Sequence, residues 1–376
     1  MGKPMTTFIL ILAVLWLAYS NGANDNFKGV ATLYGSATTS YKKALLWATV
    51  TTAAGSLVSV FAASKLLVVF SGKGLVPASL VGTSHLLIAV GMAAAFTIFL
   101  ATRLGLPTST THALTGALIG VALVASGQGV SWGTVTHTFA GPLLLSPAIA
   151  IGMAAALYIP LRKLRRALGV TKHTCVCLAD QAPQPIALQP DGSAVFAASG
   201  LRLTVGEREQ CVERYQGQFV GVDAQTCVDT VHYLSAGAVC FSRAVNDTPK
   251  IAALLLAAPA WNSAWGLSLV AAAMVLGGVL NARRVAETMS KRITDLNTGQ
   301  GLTANLVTAL LVLFASPLGF PVSTTHVSCG SIFGIGLVNR AFRWKTVAEI
   351  LAAWITTLPL AALLGGWLFW LTQGVL

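Results

Sequence analysis

Two short polar stretches interrupt an otherwise apolar chain and nearly repeat each other. One reads Pro107-Thr108-Ser109-Thr110-Thr111-His112, the other Pro321-Val322-Ser323-Thr324-Thr325-His326. Proline followed by hydroxyl residues is the composition of a helix start, since proline fits the first turn and Ser or Thr supplies an N-cap oxygen. First-turn N–H groups have no partner within the helix, and the helix dipole favours negative charge there. Ser109, Thr110 and Thr111 in one copy, and Ser323, Thr324 and Thr325 in the other, add hydroxyl donors that rotate to suit a tetrahedral oxyanion. The expected chemistry is anion binding by both copies. The competing reading is simple helix capping, and the presence of two copies favours the anion site over it. His112 and His326 follow directly; each could donate to the anion, relay a proton, or lock the turn by bonding a carbonyl.

A second repeated motif carries acids. "YSNGANDNFKG" from Tyr19 and "FSRAVNDTPKI" from Phe241 share Ser20/Ser242, Asn24/Asn246, Asp25/Asp247 and Lys28/Lys250 after a shift of 222 positions. Among the acids of the apolar halves, Asp25 and Asp247 are the two inside repeated motifs. An aspartate at membrane depth costs about 2.5–3.5 kcal/mol on insertion scales, so each is expected to have a partner. On a helix, Asp and Lys at i, i+3 share a face and can pair. The alternative is that both acids cap helices in interfacial loops.

These motifs need elements to hold them, and composition says what kind. The chain has 376 residues, 55% hydrophobic and only 10% charged, with a mean hydropathy of +0.73. Soluble domains carry about 25% charged residues, so lipid is the expected solvent. Between Ala44 and Leu161 the charged residues are Lys65, Lys73 and Arg103. Apolar runs at Ala44–Phe70, Leu80–Leu100, Val135–Leu161, Trp265–Leu280 and Thr346–Leu371 predict an all-α polytopic membrane protein. The opening Thr6–Tyr19 run is read as a membrane helix rather than a cleaved leader, because a cut there would split a repeated motif.

The net charge of +12 does not point to nucleic acid, because its basic residues gather beside apolar runs. The clusters are Arg162, Lys163, Arg165 and Arg166; Arg283, Arg284, Lys291 and Arg292; and Arg340, Arg343 and Lys345. The positive-inside rule places the segment after Arg162 in the cytoplasm. The other clusters vote inconsistently if every apolar run crosses once, which re-entrant hairpins would explain.

The expected organisation is a first membrane repeat over 1–170, a polar insert over 171–232 and a second repeat over 233–376. A shift of 214 aligns Leu104–Leu123 with Leu318–Leu337, including Gly116/Gly330 and Gly120/Gly334, a small-xxx-small spacing expected to pack helices within a hairpin. Duplicated halves are a common design of secondary transporters, with the substrate held where the repeats meet. The insert predicts turn-punctuated strands with a turn at Pro190-Asp191-Gly192. It holds Cys175, Cys177, Cys211 and Cys227, weak zinc candidates that lack paired CxxC knuckles and are otherwise reduced structural thiols. Cys240 and Cys329 are expected to pack in apolar surroundings.

"GAND" at Gly22–Asp25, "VND" at Val245–Asp247, "GLPTSTTH", "PVSTTH" and "RITDLNTGQG" at Arg292–Gly301 together resemble the signatures of the PiT-type inorganic phosphate transporter family. The resemblance spans both halves but not the insert. It implies inverted repeats, re-entrant hairpins carrying the Ser-Thr-Thr, and phosphate uptake coupled to H+ or Na+, often by a homodimer. It further implies that the six hydroxyls contact the anion and that Asn24, Asp25, Asn246 and Asp247 lie beside it and help bind the coupling ion. The family's motif runs Asn-Asp-x-x-Asn, whereas this chain has Lys28 and Lys250 at the last position. An ammonium there can take the electrostatic place of sodium or touch the anion; alternatively, both lysines snorkel to the interface.

The expected function is a multi-pass phosphate transporter of the cell (inner) membrane working by alternating access, with no enzyme activity and no organic or metal cofactor. A sulfate or other oxyanion permease is the alternative. An anion channel or an intramembrane serine hydrolase fits less well, because a hydrolase needs no second copy of its nucleophile.

Overall fold

The fold is described from a computed structural model covering residues 3–62, 64–125, 130–180, 185–188, 194–196, 201–214, 220–258, 264–341 and 343–375. The chain divides into two compact units, Met1–Tyr158 with His232–Leu376, and Ile159–Val231.

The larger unit is helical. Helix α1 (Lys3–Asp25) runs unbroken from the apolar opening into the first Asp motif. A turn region leads to α2 (Ala31–Gly35) and α3 (Tyr41–Ala62). Within the apolar stretch from Ala44 to Phe70, helical residues Ser64–Val69 (α4) follow α3, and residue 63 lies outside the described residues. Helix α5 (Ser84–Leu104) closes on Gly105 in the left-handed region (φ 73°), and α6 (Thr110–Ala125) starts at the threonines. Short α7 (Trp132–Thr134) continues through a π-helical turn, Val135–Ala140, into α8 (Gly141–Ala167).

The second half follows a similar plan. Helix α10 (Ala224–Ala252) contains the second Asp motif and Pro249. Helix α11 (Ala264–Asn281) meets α12 (Arg283–Glu287) and a π-helical turn, Thr288–Arg292, at a 66° bend. Asn297 then caps α13 (Thr298–Leu318) in a capping box with Gln300, which explains the Asn-x-x-Gln of "LNTGQG". Gly319 (φ 81°) ends α13, as Gly105 ends α5, before α14 (Thr324–Asn339) and α15 (Trp344–Val375). Each Gly sits at the αL position that terminates a helix without a Cβ penalty.

Among the described residues, five helices are long and apolar enough to cross a bilayer, and the bent pair Trp265–Asn281 with Arg283–Arg292 makes a sixth if taken as one span. Helices α6 and α14 have 16 residues each, short of the roughly 20 that a crossing needs. Each packs on the 21-residue helix before it as a helical hairpin with a short turn. Large apolar side chains such as Phe61, Leu144, Ile355 and Leu363 are exposed, as befits a surface facing hydrocarbon.

The glycine stripes pack differently from the expectation. Gly120 of α6 faces α15, where an added Cβ would lie 1.9 Å from the Ala362 carbonyl oxygen. Gly334 of α14 faces α8, with Ile151 O at 2.4 Å from such a Cβ. The close approach thus docks each of these 16-residue helices onto a longer helix, not onto its own hairpin partner.

In the smaller unit β1 (Thr174–Asp180) lies between β4 (Leu201–Glu207) and β5 (Val220–Asp223), antiparallel to both. A second pair, β2 (Pro185–Leu188) and β3 (Ala194–Phe196), is also antiparallel; the Pro190-Asp191-Gly192 turn expected there lies outside the described residues. Helix α9 (Arg208–Arg214) packs on β1 and β4. Asp223 accepts a hydrogen bond from the Thr226 N–H at 2.6 Å at the start of α10, which holds its carboxyl below the usual carboxylate range.

Helix docking through the stripes is testable. Gly120→Val should cost about 1–3 kcal/mol through overpacking and lower the melting temperature in detergent. Gly152→Ala on α8, where a Cβ meets nothing within 4 Å, should leave it unchanged or raise it.

Candidate functional site

Both hairpin turns and both Asp motifs converge on one buried polar cluster inside the larger unit. Asparagines fasten the turns. Asn24 donates from Nδ2 to Thr102 Oγ1 (2.9 Å) and Leu106 O (3.1 Å), and its Oδ1 accepts from Thr108 N (3.0 Å). Asn246 makes the corresponding contacts in the other half, donating to Val322 O (3.2 Å) and accepting from Ser316 Oγ (3.2 Å). Both side chains bond the hairpin backbone and a helix hydroxyl, which makes them braces for the turns, and Asn246 Nδ2 also donates to Asp247 Oδ1 (3.2 Å).

Each lysine crosses to the other hairpin. Lys28 Nζ donates to Asp25 Oδ1, to Thr108 O (2.7 Å) and to Thr325 Oγ1 (2.5 Å). Lys250 Nζ donates to Asp247 Oδ1 (3.3 Å), Val322 O (3.1 Å) and Thr111 Oγ1 (2.7 Å). Thr325 Oγ1 in turn donates to Thr108 O (2.6 Å), and Thr111 Oγ1 to Val322 O (3.3 Å), so the two turns clasp each other reciprocally. The pairing geometry differs locally: α1 ends at Asp25 and Lys28 lies in the following turn, whereas Asp247 and Lys250 both lie within α10. Both lysines are at most 2% exposed, so neither snorkels to an interface.

The hydroxyls divide their labour. Ser109 Oγ and Ser323 Oγ accept from the His112 and His326 N–H groups at 3.1 and 3.2 Å, which makes them helix caps. Thr110 Oγ1 donates to Asp25 Oδ2 (3.2 Å) and accepts from Asn21 Nδ2 (2.8 Å). Thr324, its counterpart, makes no side-chain hydrogen bond among the described residues. Behind the turns the imidazole rings of His112 and His326 meet, centroids 4.3 Å apart, and His326 stacks on Trp354 at 3.8 Å. Trp354 Nε1 donates to Pro107 O (3.1 Å), tying that aromatic stack to the first turn.

Sequence reading missed two residues here. Asn21 bridges the halves, with Nδ2 within 3.2 Å of both Asp25 Oδ2 and Asp247 Oδ2. Arg243, 1% exposed, donates to Asn21 Oδ1 (3.1 Å) and Thr52 Oγ1 (2.9 Å) and lies 3.9 Å from Asp247 Oδ2. Its Nε has no hydrogen-bond partner among the described residues. The signal was present, since the same 222-residue shift superposes Asn21 on Arg243; a comparison scored on identities passes over a pair that differs. The cluster therefore holds two carboxylates against Lys28, Lys250 and Arg243, one cation in excess.

Of the four insert cysteines, Cys177 and Cys211 are joined in a disulfide, so the expectation of reduced thiols is corrected for these two. Cys175 is a buried free thiol beside them, and Cys227 is exposed on α10. Cys240 and Cys329 are buried in an apolar cluster of the larger unit.

The profile of the Phosphate transporter family matches residues 21–365, from Asn21 through both hairpins. The chain belongs to the phosphate transporter family. Its relatives include a protein of Pyrococcus horikoshii named as a phosphate permease, 26% identical over 413 aligned residues that cover 97% of this chain and 98% of the relative. Another is inorganic phosphate transporter 2-1, chloroplastic, of Arabidopsis thaliana, 26% identical over all of this chain and 74% of its own length. The fold matches a solved structure titled "The sodium-dependent phosphate transporter" with a TM-score of 0.75 at 20% identity, over 99% of this chain and 100% of that one. The family is one of transporters and permeases, not of enzymes, and the chain is a multi-pass integral membrane protein.

Removing one partner of a buried ion pair leaves an uncompensated charge, at a cost of about 3–5 kcal/mol. Lys28→Met should therefore lower the melting temperature sharply, and adding Asp25→Asn to it should recover part of the loss. A double variant no more stable than Lys28→Met would show that the pair is not coupled.

Proposed function

We propose that the protein moves inorganic phosphate across its membrane by alternating access, binding the anion where the two hairpin turns meet. One observation carries this reading: two helix N-termini, each bearing threonines, clasp each other over a buried cluster with one excess cation. Membrane-depth charge is expensive, so an excess cation among paired groups marks a place that an anion completes. Thr110 and Thr324 are the hydroxyls placed to turn toward the anion, while Ser109 and Ser323 hold the helix starts. His112 and His326 support the turns through their mutual contact and Trp354.

The coupling ion follows from the lysines. A carboxylate, a backbone carbonyl and a threonine hydroxyl form an all-oxygen set of the kind hard cations take. Here Lys28 Nζ and Lys250 Nζ fill both such sets. A tethered ammonium supplies the positive charge a bound Na+ would bring, so sodium is not required and protons are the coupling cation. Loading an anion together with a proton lowers the charge carried through a low-dielectric region, which ties the two fluxes.

A second reading has its own observation. Phosphate near neutral pH keeps a proton that it can donate to a carboxylate, and sulfate does not. Yet Asp25 and Asp247 already accept from Lys28, Asn21, Thr110, Asn246 and Lys250. Acceptor capacity for a phosphate hydroxyl is thus reduced, and a fully deprotonated oxyanion such as sulfate also fits.

Proteoliposome uptake of labelled phosphate, competed with arsenate, sulfate and chloride, separates the two readings. The phosphate reading expects arsenate to compete and sulfate and chloride to be weak. Uptake should be equal in sodium and choline buffers, and an imposed inward proton gradient should raise it. Lys28→Asn with Lys250→Asn, which restores the family's residue at both positions, should make uptake sodium-dependent. A steep sodium requirement in the unaltered protein would overturn the coupling assignment.

A further inference from the structure

The smaller unit contains a cluster for which transport has no use. Side chains alternate along a strand, so Cys175 and Cys177 point to the same face of β1. Their strand neighbours include Gly206 on β4, opposite Cys175, and Gly221 on β5, opposite Cys177. Helix α9 contributes Cys211. The three cysteines, 2%, 0% and 4% exposed, are by themselves the buried core cluster of this unit among the described residues. Cys177 and Cys211 form the disulfide, and the Cys175 Sγ lies 3.3 Å from that of Cys177. All three sulfurs lie within 4.8 Å of one another.

One disulfide needs two sulfurs, and a packing residue needs none. A third thiol held against the bonded pair suits a different purpose. We propose that, when the Cys177–Cys211 disulfide is reduced, Cys175, Cys177 and Cys211 bind a single thiophilic d10 cation, with Cu(I) as the ion. Three ligands around an ion at a metal–sulfur distance of about 2.3 Å stand about 4 Å apart, within the spread that these sulfurs span. Structural zinc takes four nitrogen or sulfur ligands, and no histidine or carboxylate joins this cluster among the described residues. A closed all-thiolate set of three matches the softer monovalent ion.

The chemistry balances. A dithiol reductant gives two electrons and two protons to the Cys177–Cys211 bond and becomes a disulfide itself, leaving three thiols in the unit. Cu(I) then binds as the thiols become thiolates, and their protons are released to solvent. When a disulfide partner takes two electrons from the pair and two protons from solvent, it becomes a dithiol and the Cys177–Cys211 bond re-forms. Two ligands are then lost and the ion is expelled, so the metal reports the thiol state.

The test uses the full-length protein in lipid nanodiscs, reduced with a dithiol, desalted without oxygen and given Cu(I) buffered by a competing chelator. The expected result is about one copper retained per chain, little in the unreduced protein, and loss in Cys175→Ser and Cys211→Ser but not in Cys227→Ser. Alkylation footprinting of the unaltered protein gives an independent readout that needs no variant: Cu(I) should shield Cys175, Cys177 and Cys211 and leave Cys227 reactive. A parallel arm with zinc should show weaker retention. No copper on the reduced protein, equal retention in Cys175→Ser, or zinc held in preference to copper would overturn the assignment.

Discussion

Two buried Asp–Lys pairs organise the membrane unit. Each aspartate would be costly alone in a low-dielectric interior, and each lysine equally so. Paired, they still leave ammonium donors to satisfy, and those donors go to the opposite hairpin: Lys28 to Thr325, and Lys250 to Thr111. Charge neutralisation and the joining of the two halves are thus one interaction. Asp25 shows the need for a partner most plainly, because it ends a helix, where the dipole is unfavourable for a carboxylate.

That interaction requires the hairpin turns to be held accurately, and the surrounding structure does so from three directions. Asn24 and Asn246 brace the turn backbones. The His112–His326–Trp354 stack supports them from behind. The glycine stripes of α6 and α14 seat each short helix against a long one at backbone contact. Non-helical backbone buried inside a membrane protein is tolerated only where other groups satisfy it. Here the Thr108 and Val322 carbonyls are satisfied by threonine and lysine donors.

Much of this site was legible in the sequence because duplication marks it. Two shifts, 214 and 222, bring together the residues that the structure brings together, and the i, i+3 spacing of Asp and Lys anticipates their pairing. What escaped did so for physical reasons. Arg243 and Asn21 occupy equivalent positions with different side chains, so they complement each other rather than match. Small-xxx-small spacing reveals that a helix is approached closely but not by which neighbour, and the partners α15 and α8 lie far away in the chain. The Cys177–Cys211 bond likewise depends on how α9 returns over β1, which spacing alone does not encode.

The proposed coupling rests on the Lys28 and Lys250 ammonium groups taking the electrostatic place of a bound Na+. Equilibrium binding of labelled phosphate to the purified protein, in choline buffer and again after sodium is added, tests this most directly. The account predicts the same Kd in both. Binding that appears only with sodium would contradict it.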